Sequence, residues 1–266
     1  SLRRAGSVRP LLSGGSAVET IGSLHRAIVL TWTHITAANF AAVEALVTGV
    51  YGPGPYVLVD SARVNLLPPN VAAPTSVRAD TYPWGTSTGA LSSVSTPTPL
   101  AGRRILSWTP GTAVAGNATV YSTAFGLAQV FAAPVVSGLT YSFAASLRTT
   151  TGTATMAARV DSYSASGTLL SSSSGSTASI GTGAWTTLSV TAVTPNVAGI
   201  YVGSSVEVPA GTTTEVIVTD QWLLVIGGTL PAWTRGTGVP RVMVDDLTDS
   251  YPLRGRHNVT LTLVEV

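Results

Sequence analysis

The sequence predicts a mainly β protein: a β domain split between the two ends of the chain, with one short helix in it, and an antiparallel β-sandwich inserted between the halves. Three observations predict this. Serine, threonine, glycine and alanine dominate the polar and small residues, with little of the Glu, Lys and Gln that exposed helices use. Short strand signals separated by turn residues follow one another through the middle of the chain. The segment 256–266 alternates apolar and polar residues over its length, yet nothing in the middle region offers it an obvious partner.

The 266 residues suffice for two domains, each with a core of its own. Residues up to about Gly22 are rich in Gly, Ser and Arg and read as an arm or edge strand carrying Arg3, Arg4 and Arg9. Residues 26–32 alternate as a buried strand. From Thr36 the spacing turns helical: Phe40, Val43 and Val47 share a stripe, Thr36 suits the N-cap, and Gly49 follows the end. A Pro/Gly turn at 52–55 leads into a strand, and Asn65-Leu-Leu-Pro-Pro-Asn70 cannot continue a sheet interior. Residues 75–100, Ser/Thr/Pro/Gly around Tyr82-Pro-Trp84, read as a linker or surface loop.

Strand signals then fall at 103–108, 118–123, 128–132, 140–149, 153–163, 185–191, 199–206 and 215–225, with breaks such as Ser171-Ser-Ser-Ser-Gly175. About eight strands so spaced suit a jelly-roll or related sandwich. The domains expected are therefore 1–75 and 236–266 as one split domain and 76–235 as the insert.

Charged residues are only 10% of the chain against 45% apolar, which leaves a lone copy few charges to cover its surface and points to assembly. A net charge of +2 gives no general attraction to nucleic acid or membrane. All 14 basic residues are arginine, as GC-rich coding produces. The absence of cysteine excludes disulfides, thiolate catalysis and cysteine metal sites. No apolar stretch reaches the roughly 20 residues of a spanning helix, and no signal core follows Ser1, so neither membrane anchoring nor secretion is expected. The closest acidic residues, Asp245 and Asp246, are adjacent on a strand and face opposite sides, which is wrong for a catalytic pair. His25, His34 and His257 have no metal-ligand spacing. The chain is expected not to be an enzyme.

Residues 76–230 resemble the jelly-roll carbohydrate-binding modules, through the turn and aromatic strand of 138–147 and the strand Val216-Ile-Val-Thr-Asp-Gln-Trp-Leu-Leu-Val-Ile-Gly227. The flanks resemble the two halves of a phage tail ring domain, as in distal and minor tail proteins, through 26–32, the helix from Thr36, 52–58 and 258–265. These resemblances imply a virion tail or baseplate protein, made in the host cytoplasm. It would form a trimeric or hexameric ring with its own copies, bind other tail proteins and touch host cell-wall glycans. The alternative is a carbohydrate-binding module or adhesin of a secreted bacterial protein. Sugar-binding sandwiches stack sugars on exposed aromatics, and Trp84, Tyr82 and Tyr163, in or near loops, are the candidates, with packing or a subunit contact as the other reading of each. The structural calcium of such modules would take Asp161 and Asp220 as oxygen ligands; no other cofactor is implied.

Overall fold

The structure is a computed structural model and describes residues 2–10, 16–59, 64–74, 84–110, 118–122, 133–209, 215–236 and 238–266. The chain opens with β1 (Leu2–Pro10), β2 (Ser16–Thr36), α1 (Ala37–Val47), β3 (Tyr56–Val57) and α2 (Pro69–Ala72). Then come β4 (Trp84–Thr86), β5 (Ala90–Val94), β6 (Ile105–Thr109), β7 (Ala118–Ser122), β8 (Ala133–Pro134), β9 (Tyr141–Thr149) and β10 (Thr153–Tyr163). Last are β11 (Leu169–Ser174), β12 (Ala178–Gly181), β13 (Thr186–Val193), β14 (Tyr201–Val208), β15 (Ile217–Ile226), β16 (Arg241–Leu253) and β17 (Arg256–Glu265). The protein is mainly β with antiparallel sheets, and among the described residues no helix is long and apolar enough to cross a membrane.

The chain divides into two compact units, Ser1–Leu58 with Pro240–Val266, and Val59–Val239. The division falls at Leu58 and Pro240, whereas the sequence pattern puts it near 75 and 236. The difference has a packing cause: Leu66, Leu67, Val71 and Ala72 belong to the sandwich core, and the buried Asn65 ties down that segment, its amide donating to the carbonyls of Trp222 and Thr234 at 2.9 Å each.

The first unit is one five-stranded sheet, ordered β1-β2-β17-β16-β3. The alternation of 256–266 finds its partner here: β17 pairs β2 on one side and β16 on the other, and Val259, Leu261 and Leu263 are buried. Helix α1 crosses the apolar side. Thr36 caps it, its hydroxyl accepting from the Asn39 N–H at 3.3 Å. At the other end Gly49 takes φ +74, and the N–H groups of Gly49 and Val50 close on the carbonyls of Leu46 and Ala45, a glycine-ended stop that a Cβ would strain.

The second unit is a sandwich of a seven-stranded sheet, whose main path is β11-β10-β14-β7-β4 with β12 and β8 at its margins, and a five-stranded sheet, β13-β9-β15-β6-β5. Alternate residues from both sheets meet in one core: Met156, Ala158, Val160, Val202 and Val206 from the first, and Phe143, Leu147, Leu188, Trp108 and Trp222 from the second. Two stretches read from sequence as loop are strands. β4 and β5 lie within the 75–100 segment, and β11 takes up Ser171–Ser174. The strand signal at 128–132 lies outside the described residues.

Candidate functional site

Of the five residues singled out from the sequence, the four that fall among the described residues do not converge. Tyr82 lies outside the described residues. Trp84 begins β4, is 5% exposed, and meets Trp222 edge to face at 4.3 Å; it is a core residue and offers no face for stacking a sugar. The Pro/Ser/Thr surroundings that read as a loop are a marginal strand paired with β7, which points the indole inward. Tyr163 ends β10, as the strand signal at 153–163 has it, opposite Tyr201 and Leu169; it is 9% exposed, so it too is buried where exposure beside a loop is expected.

Asp161 is the centre of a buried polar cluster on the side of the seven-stranded sheet away from the core. The period of two along β10 puts Ala158 and Val160 into the core and Arg159 and Asp161 on the other face. Arg159 grips Asp161 with two prongs, Nε to Oδ1 at 2.8 Å and Nη2 to Oδ2 at 3.2 Å, and reaches Glu207 on β14 through Nη1 at 3.2 Å. Ser172 on β11 and Ser205 on β14 donate to Asp161 at 2.6 and 2.7 Å, and Ser174 donates to Glu207. Register explains the meeting: Asp161 faces Ser172 on one neighbour and Gly203 on the other, while Arg159 faces Ser174 and Ser205. Donors thus occupy both Asp161 oxygens.

Asp220 sits at the other sheet, where β15 slips register between Asp220 and Leu223. Its Oδ2 accepts from the N–H groups of Leu100 and Ala101 at 2.8 and 2.9 Å, and Oδ1 from its neighbour Gln221 at 2.8 Å. Asp161 and Asp220 are therefore on different sheets with their oxygens turned to donors, the reverse of what a cation needs. The expected calcium pair does not fit these residues. Among the described residues no group of three His, Cys, Asp or Glu could hold a metal ion.

Burial pushes the Asp220 carboxyl up from 3.8 to about 6, against the backbone hydrogen bonds that favour the charged form. The folded value lies above the unfolded one, so the stability linked to this group is fully present below about pH 4 and is lost as pH rises through about 6. The difference is worth about 3 kcal/mol. Urea unfolding of the wild type is expected to lose stability on that order between pH 4 and pH 7, and Asp220→Asn to flatten that part of the profile. Equal slopes in the two proteins would refute the assignment.

The first unit presents a different kind of site. Val43, Leu46 and Val47 of α1 pack on the sheet, yet no residue of the helix is buried. Between helix and sheet lies an apolar cavity of about 350 Å³, lined in part by Leu30, Trp32, Leu46, Tyr56, Leu261 and Leu263. β3 pairs only Arg241 and Val242 of β16, so from Met243 to Leu253 that edge has no partner strand among the described residues. Asp245 and Asp246 are exposed on it. The opposite edge strand, β1, carries Arg3, Arg4 and Arg9. Nearby His257 donates from Nδ1 to the Asp249 carboxylate at 2.9 Å and stacks flat on Phe40 at 4.1 Å, which fastens α1 to the β16–β17 hairpin.

No protein-family model matches the sequence, and no curated protein does. Solved structures match part of the chain at low identity. An arabinose-bound GH51 α-L-arabinofuranosidase is 20% identical with a TM-score of 0.47, over 63% of this chain and 27% of that one. The CBM22-1 xylan-binding domain of Paenibacillus barcinonensis Xyn10C is 10% identical with a TM-score of 0.41, over 57% and 90%. The enzymatically active domain of bacteriophage CBA120 tailspike protein 4 is 12% identical with a TM-score of 0.43, over 61% and 21%.

Proposed function

We propose that the chain is a non-enzymatic structural component of a phage tail or baseplate, which assembles through its first unit into a ring of its own copies and carries the sandwich as a module for host-surface glycans. The observation that carries this reading is the unfinished sheet of the first unit. One edge is a long strand that no strand among the described residues pairs from Met243 to Leu253, bearing Asp245 and Asp246; the other is β1 with Arg3, Arg4 and Arg9. An open edge is a template for another strand. Two different edges of opposite charge favour head-to-tail pairing between copies, the kind of contact that closes into rings. The under-covered apolar cavity beneath α1 and the low charge of the whole chain support the same conclusion. The tail assignment rests further on the order of strand, helix and strand, completed by the last strand of the chain.

Light scattering of the full chain is expected to return a mass several times that of one copy. Asp245→Arg with Asp246→Arg sets like charge against β1 of the neighbour, and at low salt is expected to weaken the assembly at least tenfold. A monomeric wild type overturns the assembly reading, and an unaffected double variant removes the β16 edge from it.

A further inference from the structure

A second groove, on the outer face of the five-stranded sheet, has the composition of a sugar site. Its floor is made of small residues, Ala144 and Ser146 of β9, the strand between β13 and β15. Thr187 and Ser189 of β13 stand beside them in register, Thr187 opposite Ser146 and Ser189 opposite Ala144. Gln221 and Leu223 of β15 form the other wall, and the connector after β15 closes the rim with Leu230, Pro231 and Trp233. The space is about 280 Å³.

Three features separate this groove from an accidental dent. Trp233 is only half-buried, and its indole N–H is pinned inward on the carbonyls of Trp222 and Ala72 at 3.1 and 3.3 Å. The ring is thus held in one place at no cost to whatever packs on it. Gln221 is the extra residue of the β15 bulge and takes φ +52, a left-handed conformation that a long side chain adopts at a cost and that glycine would adopt freely. Strain of this kind persists where the side chain it aims has a use. Lastly, among the described residues the Gln221 carboxamide and the Ser189 hydroxyl have no hydrogen-bond partner, although both line the groove.

We propose that this groove binds one unit of a neutral oligosaccharide, with the Trp233 ring packing on the apolar face of the sugar and Gln221, Thr187 and Ser189 hydrogen-bonding its hydroxyls. Neutrality follows from the lining, which has no charged residue to pair with a uronate, sialate or phosphate. The inference rests on the glycan half of the reading above and is independent of the assembly half. It also moves the site away from Trp84 and Tyr163.

Isothermal titration of the full chain with galactotriose, xylohexaose and arabinose, and with polygalacturonate as the anionic counterpart, tests it. At least one neutral probe is expected to bind in preference to polygalacturonate. Trp233→Ala is expected to weaken that binding at least tenfold. Gln221→Gly removes the carboxamide while relieving the backbone, so affinity should fall severalfold with a melting temperature unchanged or raised. That combination is one a merely structural role would not produce, and it decides the matter should Trp233→Ala fail to fold. Binding undiminished in the folded variants overturns this groove and leaves glycan recognition elsewhere on the chain standing. Absence of binding to every neutral probe, or preference for the anionic one, overturns the proposal, while light scattering on the same samples reports assembly separately.

Discussion

Trp222→Ala is expected to cost the sandwich about 3–5 kcal/mol, close to the whole stability margin of many domains. Trp222 is fully buried and joins the two sheets. Its ring meets Trp84 of the seven-stranded sheet at 4.3 Å and Phe143 of its own at 5.0 Å. Its indole N–H donates to the Thr219 hydroxyl at 2.7 Å, and its carbonyl accepts from the side chains of Asn65 and Trp233. Truncation empties the centre of the core and leaves Trp84, whose own indole nitrogen has no partner among the described residues, facing a void. Trp222→Phe keeps much of the packing and should cost less. Urea unfolding followed by circular dichroism measures both. A loss below about 1 kcal/mol for the alanine variant would mean that the sheets close over the gap and that Trp222 does not hold them together.

The parts of this fold that were legible in the sequence are those where pattern and burial coincide. Residues 141–149 and 217–226 are long, apolar and aromatic, and α1 carries its own start and stop in Thr36 and Gly49. The strands that no local pattern marks are built from serine and threonine. Ser171–Ser174 looked like a break because hydroxyl-rich runs favour turns. In the sheet, however, Ser172 and Ser174 lie two apart on one face and supply the hydroxyls that Asp161 and Glu207 require. That need arises only once β10, β11 and β14 are side by side, so no local pattern announces it.

The same limit governed the aromatics. Trp84 and Trp233 both stand in proline- and threonine-rich surroundings, and nothing local distinguishes them. One is buried because β4 pairs with β7. The other is held half-open by carbonyls 11 and 161 residues away. Gln221 is similar: the strand 217–226 was plain, but the bulge that aims its side chain depends on the partner strand. Sequence thus yielded the residue types a sugar site uses and not which of them face solvent.

The buried charge cluster sets the second large expectation. Arg159→Leu should destabilise the protein by about 3–5 kcal/mol, because it takes the counter-charge away from the Asp161 carboxylate, which water does not reach, and from Glu207 beside it. The side chains of Arg159, Asp161 and Glu207 are 14%, 1% and 7% exposed, so solvent screening relieves little of this. The serines soften the loss without cancelling it: Ser172 and Ser205 still donate to Asp161, and Ser174 to Glu207, but hydroxyls bring no charge. Replacing all three, as Arg159→Leu with Asp161→Asn and Glu207→Gln, removes the uncompensated charge together with its counter-ion and should restore most of the stability, since a buried pair contributes little net against a neutral substitute of similar volume. The argument therefore predicts non-additivity, a triple variant more stable than the single one, which chemical denaturation resolves directly. If the triple variant were as unstable as Arg159→Leu, the cluster would matter for its shape and hydrogen bonds, and charge compensation would not be the reason Arg159 is there.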